Sequence, residues 1–249
     1  MTASVTLEPI GFIRTAFKEK FGIPRQPGLA KSLTATVELV PPYSNPEAVR
    51  GLESCSHIWL LFIFSECVDK GWKPTVRPPR LGGNQRTGVF GCRSPFRPNP
   101  IGLSPVELLG IEQQGDRVLL QVSGADLLDG TPIVDIKPYV PYADSIPEAS
   151  FGLAQDAAQP LTQPVEFSPQ AEQACQQFSQ QLGQPLHQQI TEVLRCDPRP
   201  AYKKQDHERV YGLNLHNLNI RWQINAASIR ILDILPIEPM PAGAANHGE

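Results

Sequence analysis

Proline is the residue that most limits what this chain can fold into. The sequence carries 26 prolines among 249 residues, about twice the usual share of this amino acid. Because proline lacks a backbone N–H and breaks the interior of a helix, a chain interrupted this often is not built from long helices. The prolines are dispersed and do not repeat, so they indicate loops between short strands and not a low-complexity tract.

Short strand-like segments dominate the first 150 residues. The most hydrophobic run, His57 to Phe64, is short and rich in aromatic and branched side chains, which favours a strand buried on both faces. Residues 104–112 and 117–123 predict a hairpin, because the residues between them favour a turn. Further strands are predicted at 5–16, 33–40, 87–92 and 132–137. This pattern predicts a mainly β protein whose residues 1–150 form a β-barrel or a compact sandwich.

The composition changes near residue 150. Residues 151–167 are rich in Gln, Ala and Pro and are predicted to be a linker. Ser168-Pro169 is a helix start, two helical segments follow, and three strand-like runs complete a small α+β domain over residues 168–238. The tail, residues 239–249, is predicted to be disordered.

One stretch, Arg86 to Ser104, is called the arginine loop below. Its closely spaced glycines and prolines fix the backbone, and Arg86, Arg93 and Arg97 project from it with no acidic residue between them. Such a loop predicts a surface for an anionic or carboxylate-bearing ligand. The alternative is a long surface loop whose arginines only keep it in solution.

The charge of the chain gives two opposing indications about nucleic acid. A net charge of −3 argues against binding to it. The region from Lys70 to Arg97, however, holds seven basic residues and no acidic one. A local basic stripe on an acidic protein is typical of a phosphate-binding surface, although a solvated loop face has the same composition.

Cysteine usage and the N-terminus indicate the compartment. The five cysteines are odd in number and contain no CxxC pair, so neither a disulfide framework nor a zinc site is predicted. The first residues lack a signal-peptide pattern, and no apolar run reaches the roughly 20 residues that span a bilayer. A cytoplasmic location without membrane attachment is therefore expected.

Three carboxylates, Asp126, Asp129 and Asp135, fall within ten residues among apolar positions. They can accept hydroxyl or ammonium groups of a ligand or hold a hydrated metal ion, although residues 129–132 also have the composition of a simple tight turn. No histidine or cysteine pair has metal-ligand spacing, and no nucleophile motif occurs. The reaction class that remains is group transfer between two bound ligands, with a carboxylate-metal hydrolase as the alternative.

A second proline-flanked arginine lies in the segment Asp197 to Lys204. Arg199 stands between two prolines, and Tyr202 offers a stacking face beside two lysines. This composition is typical of a single-stranded RNA contact, and equally of a solvated loop between domains.

Taken together, several long strings resemble the TrmO family (TsaA-like or YaeB-like proteins). They are PIGFIRT, KFGIPRQPGL, SHIWLLFIF, RPPRLGG, GVFGCRSPFRPNPIGLS, DLLDGTPIVDIKPY and DPRPAY, in this order along the chain. The resemblance implies a tRNA methyltransferase that uses S-adenosylmethionine on a β-barrel outside the Rossmann class. It implies methyl transfer to N6 of threonylcarbamoyladenosine, just 3′ of the anticodon in threonine tRNA. It also implies a homodimer with the cofactor close to the subunit interface.

The resemblance assigns roles to individual residues and implies no metal. Cofactor contacts are expected from Gln26, Pro27, Gly28, Ser65, Glu66, Arg93, Leu103, Asp126, Leu127, Leu128 and Asp129. Contacts to tRNA are expected from Arg80, Arg97, Lys137, Arg199, Tyr202 and Lys203, so the second domain is expected to serve tRNA more than the cofactor. Asp135 and Tyr139 are the candidate proton acceptors. The pair Ser65-Glu66 departs from the His-Gln of relatives, and a non-catalytic module that binds S-adenosylmethionine or RNA is the alternative function.

Overall fold

A closed six-stranded antiparallel barrel forms the first part of the molecule, in the strand order β1-β2-β7-β6-β3-β8. The computed structural model describes residues 5–78, 85–152, 159–199 and 209–237. The first eight strands are β1 (Gly11–Arg14), β2 (Thr34–Leu39), β3 (His57–Ile63), β4 (Thr75–Val76), β5 (Thr87–Gly88), β6 (Ile101–Gln114), β7 (Arg117–Ser123) and β8 (Pro132–Pro138). β4 and β5 pair with each other outside the barrel. The predicted fold class is confirmed.

The barrel closes around side chains that alternate along each strand. Ile58 and Leu60 of β3 are fully buried in its core, together with Val106 of β6 and Leu120 of β7. The outward residues of β3 are half-buried, apart from His57, which is exposed. The prediction that β3 is buried on both faces is therefore wrong, because in a single-layer barrel only one face of each strand meets the core.

The observed strands differ from the predicted ones around the arginine loop. The predicted strand 87–92 is only two residues long and continues as a 3-10 helix, Val89–Gly91. β6 instead begins at Ile101, three residues before its predicted start, and pairs with β3 from that point. The last four residues of the arginine loop are therefore part of the barrel wall.

The second part of the chain is a four-stranded sheet packed against two helices. Its elements follow the short helix α1 (Pro141–Asp144) and are β9 (Val165–Phe167), α2 (Pro169–Leu182), α3 (Leu186–Arg195), β10 (Tyr211–Leu215), β11 (Leu218–Ile224) and β12 (Ile229–Pro236). The Ser168 hydroxyl caps α2 by accepting the N–H of Ala171, and Gly183 ends the helix in a left-handed conformation. β9 pairs in parallel with β12, so the final residues of the predicted linker belong to this sheet.

Residues 15–33, called the N-terminal segment below, join the two parts. The segment leaves the barrel after β1 and returns at β2. Between these strands Phe17 and Leu33 are buried among the apolar side chains of α3 and the second sheet. Phe17 also forms a β-bridge with Leu215. The core of the second part is therefore completed by residues from the first.

Candidate functional site

A pocket of about 460 Å³ opens at one end of the barrel. Its walls come from parts of the chain that are distant in sequence: residues 24–27 of the N-terminal segment, Phe62 and Phe64 at the end of β3, and residues 101–104 of β6. The arginine loop and Asp126 complete it. We call it the barrel-end pocket.

The floor of the barrel-end pocket is aromatic. The rings of Phe62 and Phe64 meet edge to face at a centroid distance of 5.0 Å. The Phe62 ring lies directly over Gly102, where a Cβ atom would come within 2.3 Å of the ring. Glycine at this position therefore allows the close approach that places an aromatic face in the pocket.

The carboxylate of Asp126 is the acidic group that lines the pocket. Ser104 donates its hydroxyl to Asp126 Oδ1 at 2.6 Å. Burial raises the pKa of Asp126 above the ordinary aspartate value, although the Ser104 hydrogen bond and the nearby Arg93 guanidinium partly oppose this rise. The group is thus a partly desolvated acceptor whose charge is stabilised by a cation.

Arg93 connects two walls of the pocket. Its Nη1 donates to Gln26 Oε1 at 2.9 Å, so the arginine loop is fastened to the N-terminal segment. The pocket brings together five of the residues that the resemblance assigns to the cofactor: Gln26, Pro27, Arg93, Leu103 and Asp126.

Arg97 also lines the pocket, but its hydrogen bonds go to its own loop. Its Nη1 donates to the carbonyls of Val89 and Cys92 at 3.0 and 2.7 Å. Its guanidinium carbon lies 5.5 Å from the centroid of the exposed Phe90 ring. Arg97 therefore shapes the arginine loop, in addition to the tRNA contact expected of it.

The remaining residues of the Asp126–Asp129 stretch do not line the pocket. Leu127 is fully buried in the barrel core, and Leu128 accepts a hydrogen bond from Thr131 with its carbonyl. Asp129 accepts the backbone N–H of Thr15 and pairs with the Lys18 ammonium at 2.8 Å. These partners hold the three residues beside the pocket, and the cofactor contacts expected of them stay a prediction.

Three other expected cofactor residues lie outside the pocket lining. Gly28 is next to it and donates its N–H to the carbonyl of Gly124 at 2.8 Å. Ser65 and Glu66 begin a 3-10 helix after β3, and Glu66 faces Lys20 at 3.6 Å. None of the three contributes to the walls of the pocket.

The two candidate proton acceptors lie on the outer face of the barrel. Asp135 pairs with Lys137, another expected tRNA contact, at 2.8 Å. Leu61 stands between Asp135 and Leu103 in the strand register, so Asp135 is two strands, roughly 10 Å, from the pocket wall. Tyr139 packs on Trp59 at a centroid distance of 5.6 Å. The structure does not place either group in the pocket of its own chain.

The arginine of the second proline-flanked segment is buried. Arg199 is 5% exposed, and its Nε donates to Asp197 Oδ1 at 2.7 Å. Arg199 thus forms a buried ion pair with Asp197, and the tRNA contact expected of it stays a prediction. Arg80, Tyr202 and Lys203 lie outside the described residues.

Sequence reasoning missed Phe62, Phe64, Phe90 and Ser104. The strand pattern gave a usable signal for one of them, since residues two apart on a strand share a face and Ser104 therefore lies on the same side of β6 as the buried Val106. Among the described residues no group of three or more His, Cys, Asp or Glu side chains could hold a metal ion. Within the same residues, no helix has the length and apolar content of a membrane span.

The fold and site together define a class. The described chain is a closed antiparallel barrel with a ligand-sized pocket at one end, which sets it apart from the doubly wound parallel sheets of Rossmann-type proteins. The model of the tRNA-methyltransferase O N-terminal domain matches residues 12–145, and that of the TrmO C-terminal domain matches residues 160–237. The chain belongs to the TrmO family, which confirms the resemblance.

Individual relatives match over nearly their whole length. A tRNA (adenine(37)-N6)-methyltransferase of Escherichia coli K12 is 47% identical over 235 residues, which are 94% of this chain and 99% of that protein. A putative S-adenosylmethionine-dependent methyltransferase of Pseudomonas aeruginosa is 48% identical over 94% of this chain and 98% of its own length. A crystal structure of TrmO from Pseudomonas aeruginosa has a TM-score of 0.77 at 41% identity and covers 93% of this chain and 98% of that one.

Proposed function

We propose that this protein is a tRNA (adenine(37)-N6)-methyltransferase that takes its methyl group from S-adenosylmethionine. The observation that carries the proposal is membership of the TrmO family along both parts of the chain. The acceptor would be N6 of threonylcarbamoyladenosine beside the anticodon of threonine tRNA. Since tRNA is the substrate, the protein would act in the cytoplasm.

The barrel-end pocket suits S-adenosylmethionine in shape and charge. The faces of Phe62 and Phe64, with the apolar side chain of Leu103, suit an adenine ring. Arg93 suits the carboxylate of the amino-acid end, and Asp126 suits an ammonium group or a ribose hydroxyl. The bound cofactor supplies an activated methyl on a sulfonium, so the protein has to align donor and acceptor and needs no nucleophile of its own.

The pocket residues would orient the donor and limit its contact with water. Gln26 and Arg93 close one side by their mutual hydrogen bond, and the Phe62 ring fixes the depth of the pocket. The acceptor nitrogen, which resembles an amide, has to share or lose its proton to attack the methyl group. Asp135 and Tyr139 remain our candidates for this proton, acting from a second copy of the chain.

A homodimer explains why these two groups lie on the outer face of the barrel. Leu103 is 50% exposed and adjoins the half-buried Leu61, which leaves an apolar stripe on β3 and β6 beside Asp135. A second copy packed on this stripe would cover it and bring Asp135 and Tyr139 towards the partner's pocket. Light scattering on the purified protein tests this arrangement, and a monomer at assay concentrations would refute it.

Methyl transfer from labelled S-adenosylmethionine is the direct test of the function. Label is expected in threonine tRNA that carries threonylcarbamoyladenosine, and none in the unmodified transcript. Binding of both ligands without transfer would favour the alternative of a non-catalytic binding module. Activity that a chelator abolishes and that needs no S-adenosylmethionine would favour the hydrolase.

Replacing Arg93 by alanine tests the cofactor pocket. Arg93→Ala removes one charge-assisted hydrogen bond and is expected to raise the Kd for S-adenosylmethionine roughly 10- to 150-fold, corresponding to about 1.5–3 kcal/mol. Isothermal calorimetry measures the change. Arg86→Ala is the matched control, because Arg86 is an exposed arginine of the same loop that does not line the pocket. Equal affinities for the two variants would show that the cofactor binds elsewhere.

A further inference from the structure

We propose that α3 of the second part positions the methyl-donor pocket of the first, through Glu192 and Gln189. The inference rests on the proposed function, since it takes the barrel-end pocket as the S-adenosylmethionine site. Neither residue lines that pocket, so both would act through the N-terminal segment, whose residues 24–27 form one wall. The second part of the chain would then contribute to cofactor affinity and not only to tRNA binding.

Glu192 binds the N-terminal segment through hydrogen bonds to Ser32. Its Oε2 accepts both the backbone N–H and the hydroxyl of Ser32, each at 2.8 Å. Gln188 of the same helix donates to the other carboxylate oxygen at 2.9 Å, which fixes the orientation of the group. The Glu192 carboxylate therefore fixes both the backbone and the side chain of Ser32.

Gln189 holds the same residue from inside the core. Its side chain is fully buried, and Nε2 donates to the carbonyl of Ser32 at 3.1 Å. Its Oε1 lies 2.8 Å from His216 Nε2. Burial and the Lys18 ammonium lower the pKa of His216, so near neutral pH the ring is uncharged and its Nε2–H can donate to Gln189. Each hydrogen-bonding group of the Ser32 backbone is therefore bound by α3.

Apolar packing secures the segment on the same side. Phe17 is 1% exposed and Leu33 3% exposed, and both belong to the core cluster that contains Ile190 and Val193 of α3. A Cβ atom at Gly22 would come within 2.1 Å of the Leu213 side chain, so the backbone of the segment also lies directly on the second sheet. The segment thus belongs to the hydrophobic core of the second part at several points.

The barrel holds the other side of the segment. Asp129 binds Thr15 and Lys18, and Gly28 donates to the carbonyl of Gly124. Residues 24–27 lie between the attachments at Lys18 and Gly28, in a stretch without helix or strand, and Ser32 follows Gly28 closely in the sequence. Because this stretch is not held by the backbone hydrogen bonds of a helix or a sheet, its position depends on the anchors at its ends. Loosening Ser32 is therefore expected to disorder the pocket wall that carries Gln26.

Glu192→Ala tests the proposal in the full-length protein. We expect the Kd for S-adenosylmethionine to rise about tenfold by calorimetry, because two hydrogen bonds to a charged group are lost. Trypsin should cleave faster within residues 18–31, where its sites are Lys18, Lys20, Arg25 and Lys31. Far-UV circular dichroism should stay unchanged. Glu172→Ala is the matched control, because Glu172 lies on α2 and makes no hydrogen bond to the N-terminal segment.

The outcomes separate this proposal from the pocket assignment. If Arg93→Ala weakens cofactor binding and folded Glu192→Ala does not, the positioning role is wrong and the pocket stands. If Arg93→Ala has no effect, the pocket assignment itself fails, and this proposal falls with it. Should Glu192→Ala not fold, Ser32→Ala removes only the hydroxyl contact and is expected to raise the Kd about threefold. Unchanged affinity in that milder variant would overturn the proposal.

Discussion

Gly102→Ala is expected to damage both the stability of the barrel and its affinity for S-adenosylmethionine. The added Cβ would lie 2.3 Å from the tip of the Phe62 ring, and Phe62 is 4% exposed. Either β6 shifts away from β3 or the ring moves into the barrel-end pocket. Overpacking of this kind typically costs about 1–3 kcal/mol. If the ring moves into the pocket, the same free energy lowers the affinity about 5- to 150-fold.

Two further variants make the Gly102 experiment decisive. Gly110→Ala is the matched control on the same strand, because a Cβ atom there meets nothing within 4 Å. Its unfolding midpoint and its cofactor affinity should stay close to those of the wild type. Phe62→Leu combined with Gly102→Ala should recover part of the lost stability, since the shorter side chain leaves room for the methyl group. A Gly102→Ala protein that binds cofactor normally would contradict the role given to Phe62.

The barrel could be predicted from the sequence because its signals are local. Alternating side chains and turn residues define strands within a few residues, and β6 and β7 follow each other directly as the predicted hairpin. The strand ends could not be predicted, because pairing with a distant strand decides them. β6 extends back to Ile101 since Ile63 of β3 is there to pair with it.

The site was predictable only as a set of chemical types. The sequence indicated that Asp126 and Asp129 could both hold a ligand, and nothing local distinguishes them. The structure separates them by their partners, since Asp126 meets Ser104 in the pocket and Asp129 meets Lys18 of the N-terminal segment. Both contacts join residues far apart in sequence, so they follow from the packing of the barrel and not from the motif.

The burial of Arg199 and of the N-terminal segment could not be predicted from the local sequence either. An arginine between prolines resembles a solvent-exposed cation, yet Arg199 is buried against Asp197. The N-terminal segment has the composition of a free loop, yet Phe17 and its neighbours in the segment complete a hydrophobic core whose remaining members lie at residues 161–234. Burial depends on the neighbours that the fold supplies. For Phe17 most of these neighbours are distant in sequence. For Arg199 the neighbour is Asp197, whose backbone has an unusual φ of 50°.

Asp126→Asn is expected to weaken S-adenosylmethionine binding while leaving the protein as stable as the wild type or more so. The amide oxygen can still accept the Ser104 hydroxyl, but the negative charge that would face the cationic cofactor is lost. Loss of one charge-assisted contact corresponds to about 1.5–3 kcal/mol, or roughly 10- to 150-fold in Kd. Calorimetry with the wild type and the variant at neutral pH measures this difference.

The pH dependence gives the sharper form of this test. Burial raises the folded-state pKa of Asp126 above its unfolded value, so the ionised carboxylate costs stability. This cost is absent below the unfolded pKa, grows as the pH rises from the unfolded to the folded pKa, and is complete above the folded pKa. Over the same window wild-type affinity for the cofactor should rise, because the ionised form binds the cation. Asp126→Asn should show neither change, and a wild-type affinity that does not vary there would remove Asp126 from the cofactor site.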